Sequence, residues 1–141
     1  MTTFHLAIPI HDIAQARYFY ETVLNCSVGR TAERWVDINF WSHQVSLHLV
    51  DDLDIVDSTN SVDADSVPVR HFGLILDWDA WHVLSDRLTN GKHAAEIAWI
   101  IKPKIRFQGE VGEQATMFFR DLSGNALEFK SFQDPSQVFA T

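Results

Sequence analysis

The chain has 141 residues, 46% of them hydrophobic, and a formal net charge of -8. That length suits one compact domain or two small repeats sharing a core, and the acidic balance excludes a nucleic-acid backbone as partner, since phosphates need basic surface. No apolar run approaches the roughly 18–20 residues that span a bilayer, the start Met1-Thr2-Thr3-Phe4-His5 has no signal-peptide pattern, and the single Cys26, read as a small buried hydrophobe, excludes an intrachain disulfide and fits a cytoplasmic setting.

Phe4 to Ile10 reads as a strand, and Asp12 as the N-cap of a helix whose buried face carries Ile13, Ala16, Tyr20, Val23 and Leu24, with Asn25 as its stop. Arg34 to Trp41 alternates Val36, Ile38 and Phe40 against Asp37 and Asn39, a strand pattern. Ser42-His43 makes a tight connection to the next strand, Gln44 to Val50. Residues 51–67 show no period and are rich in Asp, Ser, Asn and Val, so they read as a linker. Its acidic cluster, Asp51, Asp52, Asp54, Asp57, Asp63 and Asp65, reads as solvated. His71 to Trp78 is the next strand. Asp79 is a candidate N-cap for a helix buried through Trp81, Leu84 and Leu88 and ending near Asn90-Gly91. Glu96 to Ile101 is a strand, and Pro103, Gly109 and Gly112 bracket a loop or hairpin. Gln114 to Arg120 and Ala126 to Phe132 are strands joined by the turn Asp121-Leu122-Ser123-Gly124-Asn125.

The order repeats: strand, helix, then three strands in each half. The expected layout is a single α+β domain over 1–141, with module 1 at about 4–50, the linker at about 51–67, module 2 at about 68–132 and a tail at 133–141. Each half also carries two ligand-type residues, His5 and His48 in the first, His71 and Glu128 in the second. Side chains alternate along a strand. If the apolar partners pack under the helices, these four share the opposite face. Each has a small residue two positions away on its own face, namely Ala7, Ser46, Gly73 and Ala126, which leaves room over an ion.

With these residues in place, the chain resembles the vicinal oxygen chelate superfamily, which includes glyoxalase I, extradiol ring-cleaving dioxygenases, fosfomycin-resistance enzymes and bleomycin-binding proteins. The resemblance runs from Phe4 to Phe132, and Asp121-x-x-Gly124-Asn125-x-x-Glu128 is its most specific part. It implies two paired βαβββ modules forming a curved mixed-sheet cup with helices outside. It also implies a divalent metal on His5, His71 and Glu128. Fe(II) leads among the candidates, with Mn, Ni, Co or Zn as alternatives. The implied partners are a small substrate that chelates through neighbouring oxygens and a second copy of the chain in a homodimer. No membrane partner is implied. The site forms either within one chain or across two.

His48 separates the activities that the resemblance allows. Glyoxalase-like members use this position as a fourth ligand, whereas extradiol dioxygenases carry an acid/base histidine on the matching strand. Two histidines and a carboxylate leave three open positions, which suits Fe(II) with a catecholate and O₂, and a fourth protein ligand would leave too few. Imidazole also suits a proton shuttle, so the dioxygenase-like reading leads, with the glyoxalase type as alternative and a drug-sequestering protein third. One departure stands out. Extradiol enzymes carry a tyrosine on the strand before the glutamate, and here that strand reads Ala115-Thr116-Met117-Phe118-Phe119.

The remaining candidates are weaker. Arg106, in the basic stretch Lys102-Pro103-Lys104-Ile105-Arg106, either pairs with a substrate carboxylate or phenolate or balances Glu110 and Glu113 at the surface. Gln114 is a candidate at the cavity rim. His11, His43, His82 and His93 have no counterpart in the other half and read as surface or capping residues. The five tryptophans read mostly as core or interface. No phosphate-binding glycine loop, serine elbow or zinc-binding cysteine pair is present.

Overall fold

In a computed structural model the chain is described over Met1–Thr141. It divides into two compact units: Met1–Val56 with Asp121–Asn125, and Asp57–Arg120 with Ala126–Thr141. Each unit is built on one four-stranded mixed sheet, so the α+β class and the two βαβββ modules are as the sequence predicts.

The first unit runs β1 (His5–Ile10), α1 (Ile13–Arg17), β2 (Ser27–Ala32), β3 (Trp35–Phe40) and β4 (His43–Leu49), in sheet order β1-β4-β3-β2. Asp12 caps α1 as predicted, its carboxylate accepting from the Gln15 backbone N–H at 2.8 Å. The helix then widens into a π-helical turn over Tyr18–Val23 and stops at Asn25, which adopts a left-handed φ of 60°. Phe19, Tyr20, Val23 and Leu24 are buried, as are Val36, Ile38 and Leu47 of the strands. β2 has no apolar alternation, with only Val28 less than exposed, so its sequence gives no period to read.

Residues 57–68 are more than a linker. β5 (Thr59–Val62) and β6 (Asp65–Pro68) form an antiparallel hairpin in the second unit, turned by Asp63 and Ala64 at positive φ. Val67 packs against Ile101 and Phe118. The acidic cluster is not simply solvated either. Asp57 pairs with Arg120 at 2.7 Å, and Asp65 pairs with Arg106 at 3.0 Å and with Lys104. The hairpin's missing apolar period is replaced by ion pairs to basic residues far along the chain, which no local pattern reveals.

β7 (Phe72–Ile75), α2 (Trp78–Asn90), β8 (Ala98–Arg106), β9 (Gln114–Arg120) and β10 (Ala126–Phe132) complete the second unit, in sheet order β7-β10-β9-β8. α2 starts at Trp78 behind Asp77, so Asp79 lies in the first turn rather than at the cap. Trp81, Leu84 and Leu88 form its buried face, and the Trp81 indole N–H donates to the Phe129 carbonyl at 2.8 Å. β8 passes through Pro103, where the sequence suggests a break. Its pairing with β9 shifts between Ile101 and Lys104, so the missing proline N–H falls at an irregularity.

The motif Asp121-x-x-Gly124-Asn125 is explained by hydrogen bonds within the first unit. The Asp121 carboxylate accepts from the Ser123 and Asn125 backbone N–H groups, each at 2.9 Å, and from the Asn125 amide at 2.8 Å. Gly124 holds φ 92°, in the left-handed region that glycine tolerates. Asn125 also donates to the Pro9 carbonyl, and the fully buried Tyr20 donates to Asp121 at 2.9 Å. Burial pushes the Asp121 carboxyl up despite these bonds, and pushes the Tyr20 phenol up well above its ordinary value. Tyr20→Phe therefore leaves a buried carboxylate short of one donor. It should lower unfolding free energy by about 1–3 kcal/mol in urea titration with an unchanged slope. A loss within ~0.5 kcal/mol, the usual scatter for a neutral surface change, contradicts this role.

Candidate metal centre

In each unit the first strand pairs in parallel with the last, and this register decides which side chains share a face. In the second unit Glu128 stands opposite Gly73, so His71 sits one alternation before it on the same face. Their side chains meet, with His71 Nε2 3.3 Å from Glu128 Oε2. Thr116, on β9, donates to Glu128 Oε1 at 2.8 Å, and Lys130 Nζ lies 3.8 Å from Oε2. The Glu128 side chain is 13% exposed and that of His71 is 29% exposed.

His71 Nδ1 lies 2.6 Å from the Pro68 carbonyl, which only accepts, so Nδ1 carries the proton and Nε2 is the atom turned toward Glu128. An imidazole oriented by a carbonyl beside an oriented carboxylate is a donor pair that fits a divalent ion. The pair lines a cavity of about 200 Å³ with Gly73, Ile75 and Lys130. Gly73 has a firmer reason than room for an ion: a Cβ there would lie 1.6 Å from the Glu128 carbonyl oxygen. Only glycine lets β7 approach β10 this closely.

The hydrogen bond that the protonated His71 donates to Glu128 is the main cause that raises His71 above its ordinary 6.5. Burial opposes it, while Pro68 and the Glu128 charge add to it. Burial pushes Glu128 up, but the His71 hydrogen bond, Lys130 and Thr116 outweigh it and hold the carboxyl below 4.5.

In the first unit the counterpart row is shifted from the one the sequence suggests. His5 is opposite Gln44, and Ala7 is opposite Ser46. The residue one alternation beyond His5, matching Glu128 in the other unit, is therefore Ser46. His48 stands opposite Pro9 and Trp35, exposed on the same face as His5. It is four residues along from the row of His5, about 13 Å at roughly 3.3 Å per residue. That exceeds the span of two imidazoles sharing one ion from a common face. The lookalike spacing of His48 and Glu128 thus hides a two-residue offset, visible only in the strand pairing.

The first unit also holds a polar row that the sequence reading passes over. His5 Nδ1 lies 2.8 Å from Gln44 Oε1, and the Gln44 amide donates to Asp37 at 3.0 Å. Ser46 donates to the other Asp37 oxygen at 2.5 Å, and Arg30 lies 3.7 Å from that carboxylate. Gly29, Arg30, Asp37, His43 and Gln44 line a cavity of about 470 Å³. Asp37 passed as the polar half of an alternating strand, although its residue type and burial mark it as part of a network.

Among the remaining predicted residues, Arg106 is not in a surface loop. It ends β8, is 3% exposed, and its guanidinium is bound by Asp65 and by the Val62 carbonyl at 2.8 Å. Neither a free anion-binding arginine nor a partner of Glu110 and Glu113 describes it. Gln114 is half-buried opposite Arg106 and Phe132. Phe118, on the strand where extradiol enzymes carry tyrosine, stands opposite Glu128 and packs edge-on against His71 at 4.9 Å. His82 and His93 bond locally, to Trp78 and Glu96, and His11 bonds to the distant Ser123. Within this chain no three His, Cys, Asp or Glu side chains gather as a ready metal cluster; of the predicted ligands, His71 and Glu128 are in contact.

No family model matches the sequence, and no curated protein is similar to it at the sequence level. Solved structures do match along its whole length. A glyoxalase/bleomycin resistance protein/dioxygenase from Alicyclobacillus acidocaldarius is 30% identical, with 98% of this chain and 96% of that one covered and a TM-score of 0.80. The chain belongs to the glyoxalase/bleomycin resistance/dioxygenase family, within the vicinal oxygen chelate superfamily. The fold is also shared with the fosfomycin resistance protein FosX of Listeria monocytogenes, at 12% identity over 97% of both chains and a TM-score of 0.68. Lactoylglutathione lyase of Agrobacterium tumefaciens matches at 16% identity, over 99% of this chain and 97% of that one, with a TM-score of 0.63. No helix is long and apolar enough to cross a membrane.

The pKa directions give a pH signature for the metal-free protein. The raised His71 contributes stability that is full below about 6.5 and is lost as pH rises through its folded value. The lowered Glu128 contributes stability that is full above about 4.5 and is lost as pH falls through its folded value. Glu128→Gln should therefore depress the urea midpoint most between about pH 4.5 and 6.5, with a smaller difference above that window as His71 deprotonates. A pH-independent difference contradicts the pairing.

Proposed function

We propose that this protein is a metal-dependent enzyme resembling an extradiol dioxygenase, acting on a small substrate that chelates through neighbouring oxygens. The observation that carries the proposal is the register in the first unit, which sets Ser46 rather than His48 one alternation from His5. The ligand set is then His5, His71 and Glu128, two imidazoles and one carboxylate, with three positions open. Bound there, a divalent ion would supply Lewis acidity and, as Fe(II), a redox partner for dioxygen; Mn, Ni, Co or Zn are the alternatives, of which Zn would supply Lewis acidity alone.

The chain's own residues have separate tasks. Pro68 and Thr116 hold His71 and Glu128 in orientation. Phe118 packs edge-on against the His71 ring and limits its rotation. Lys130, next to Glu128, favours a substrate that brings anionic oxygen. His48 is on the same face as His5 but beyond ligand reach, so it serves as the proton shuttle, taking or giving a proton at a substrate oxygen away from the ion.

A second reading, a glyoxalase-type isomerase or lyase, is favoured by one observation: Phe118 stands opposite Glu128 with no hydroxyl, on the strand where extradiol enzymes carry a tyrosine. In that reading the enzyme moves protons without consuming O₂. A drug-sequestering role fits less well, since bleomycin-binding relatives lack the metal-ligand residues, whereas this chain keeps His5, His48, His71 and Glu128. The proposed assembly is a homodimer, for which light scattering should give twice the 16.1 kDa chain mass. A single-chain mass contradicts it.

Metal analysis tests the ligand set. Glu128→Ala should lose bound metal, whereas His48→Ala should keep it and lose turnover by about 10²–10⁴-fold, the usual share of a general acid or base. Full metal in Glu128→Ala, or metal lost from His48→Ala, contradicts the assignment. Stoichiometric O₂ uptake by the Fe(II)-loaded protein with a catechol supports the dioxygenase reading, and turnover without O₂ uptake supports the second.

A further inference from the structure

We propose that Gln44 and Asp37 are positioning residues that fix the tautomer of His5, leaving its Nε2 lone pair free to bind an ion. The use of that lone pair rests on the reading of His5 as a metal ligand; the tautomer itself rests on hydrogen bonds alone.

Asp37 is the anchor of the group. It is a carboxylate 6% exposed in a β-strand, a costly place for a charge unless its oxygens are satisfied. Ser46 donates to Oδ1, the Gln44 amide donates to Oδ2, and Arg30 adds a nearby positive charge. An ionised carboxylate only accepts, so the Gln44 atom facing it is the NH₂ group, and the amide oxygen points the other way. That oxygen lies 2.8 Å from His5 Nδ1. An amide oxygen also only accepts, so Nδ1 carries the imidazole proton and Nε2 is the basic nitrogen.

Strand pairing builds this relay. Asp37 is opposite Ser46 across β3 and β4, and Gln44 is opposite His5 across β4 and β1, so all four side chains rise from one face. Ala7, opposite Ser46, adds no bulk over it. The second unit reaches the same result by a shorter route, since the Pro68 carbonyl holds the proton on His71 Nδ1. Each module thus fixes the proton of its first histidine on Nδ1, one through a backbone carbonyl and the other through a carboxylate–amide pair. An acceptor for the other ring N–H of a ligand histidine is a known way to set ring orientation and basicity.

The test is long-range ¹H–¹⁵N NMR of the histidine rings in the metal-free protein at about pH 8, where an ordinary imidazole is neutral, followed by zinc titration. The wild type should show His5 protonated at Nδ1 with Nε2 bare. Gln44→Leu should give a mixed or reversed tautomer and bind zinc about 10–100-fold more weakly. The double variant Asp37→Asn with Gln44→Glu supplies an acceptor to Nδ1 and a donor to the new carboxylate, and should restore both readouts. If Gln44→Leu does not fold, Asp37→Asn alone, which keeps every side-chain volume, should release the Gln44 amide and mix the tautomers. Wild-type His5 protonated at Nε2, or a tautomer unmoved in a folded Gln44→Leu, overturns the proposal. No zinc binding by a wild type with the stated tautomer overturns the metal centre instead, while the hydrogen-bond assignment stands.

Discussion

Parallel pairing between the first and last strands of each half is the constraint on which the rest depends. β1 lies beside β4 and β7 beside β10, strands that are distant in sequence and joined through a helix and two further strands. A parallel pair cannot be closed by a tight turn, so the helix is needed to carry the chain back. That helix covers one face of the sheet, and the polar residues of the first and last strands are left on the other. His71 and Glu128 meet for this reason, and His5 meets Gln44 for the same reason. A slip of one residue in either pairing would turn these side chains into the core.

The register is protected by features that otherwise look unrelated. Gly73 permits the approach of β7 to β10, where any side chain would strike the Glu128 backbone. The Asp121 turn fixes where β10 starts, and Glu128 is the third residue of that strand. Tyr20, from the π-helical turn after α1, anchors the same carboxylate. The most specific motif in the sequence is thus largely a device for starting a strand in the right place, and one of its residues is the proposed ligand. The hairpin β5–β6 adds a cover over Phe118 and Ile101 and ties itself down through Asp65, Arg106 and Lys104.

Much of this was legible in the sequence. The two modules followed from the repeated order of strand, helix and strands, and the Asp12 cap and the buried faces of both helices followed from spacing. His71 and Glu128 were legible as a pair because each sits at a matching place in strands that alternate cleanly. What escaped depends on pairing between distant segments. β2 has no period. The charges of the hairpin segment acquire meaning only opposite Arg106 and Arg120. His48 looked equivalent to Glu128 because both follow an apolar pattern near the end of a strand, and the two-residue offset exists only in the pairing with β1. Asp37 and Gln44 looked like the solvent side of ordinary strands, and their role is set by what lies across the sheet.

The central proposal is that His5, His71 and Glu128 are the three protein ligands of one divalent ion, with His48 acting without binding it. A crystal structure of the metal-loaded protein, with the ion located by anomalous scattering at its absorption edge, tests this most directly. The account predicts an ion bound by the Nε2 atoms of His5 and His71 and by the Glu128 carboxylate, with His48 outside the coordination sphere. An ion coordinated by His48, or one that leaves Glu128 unligated, would contradict it.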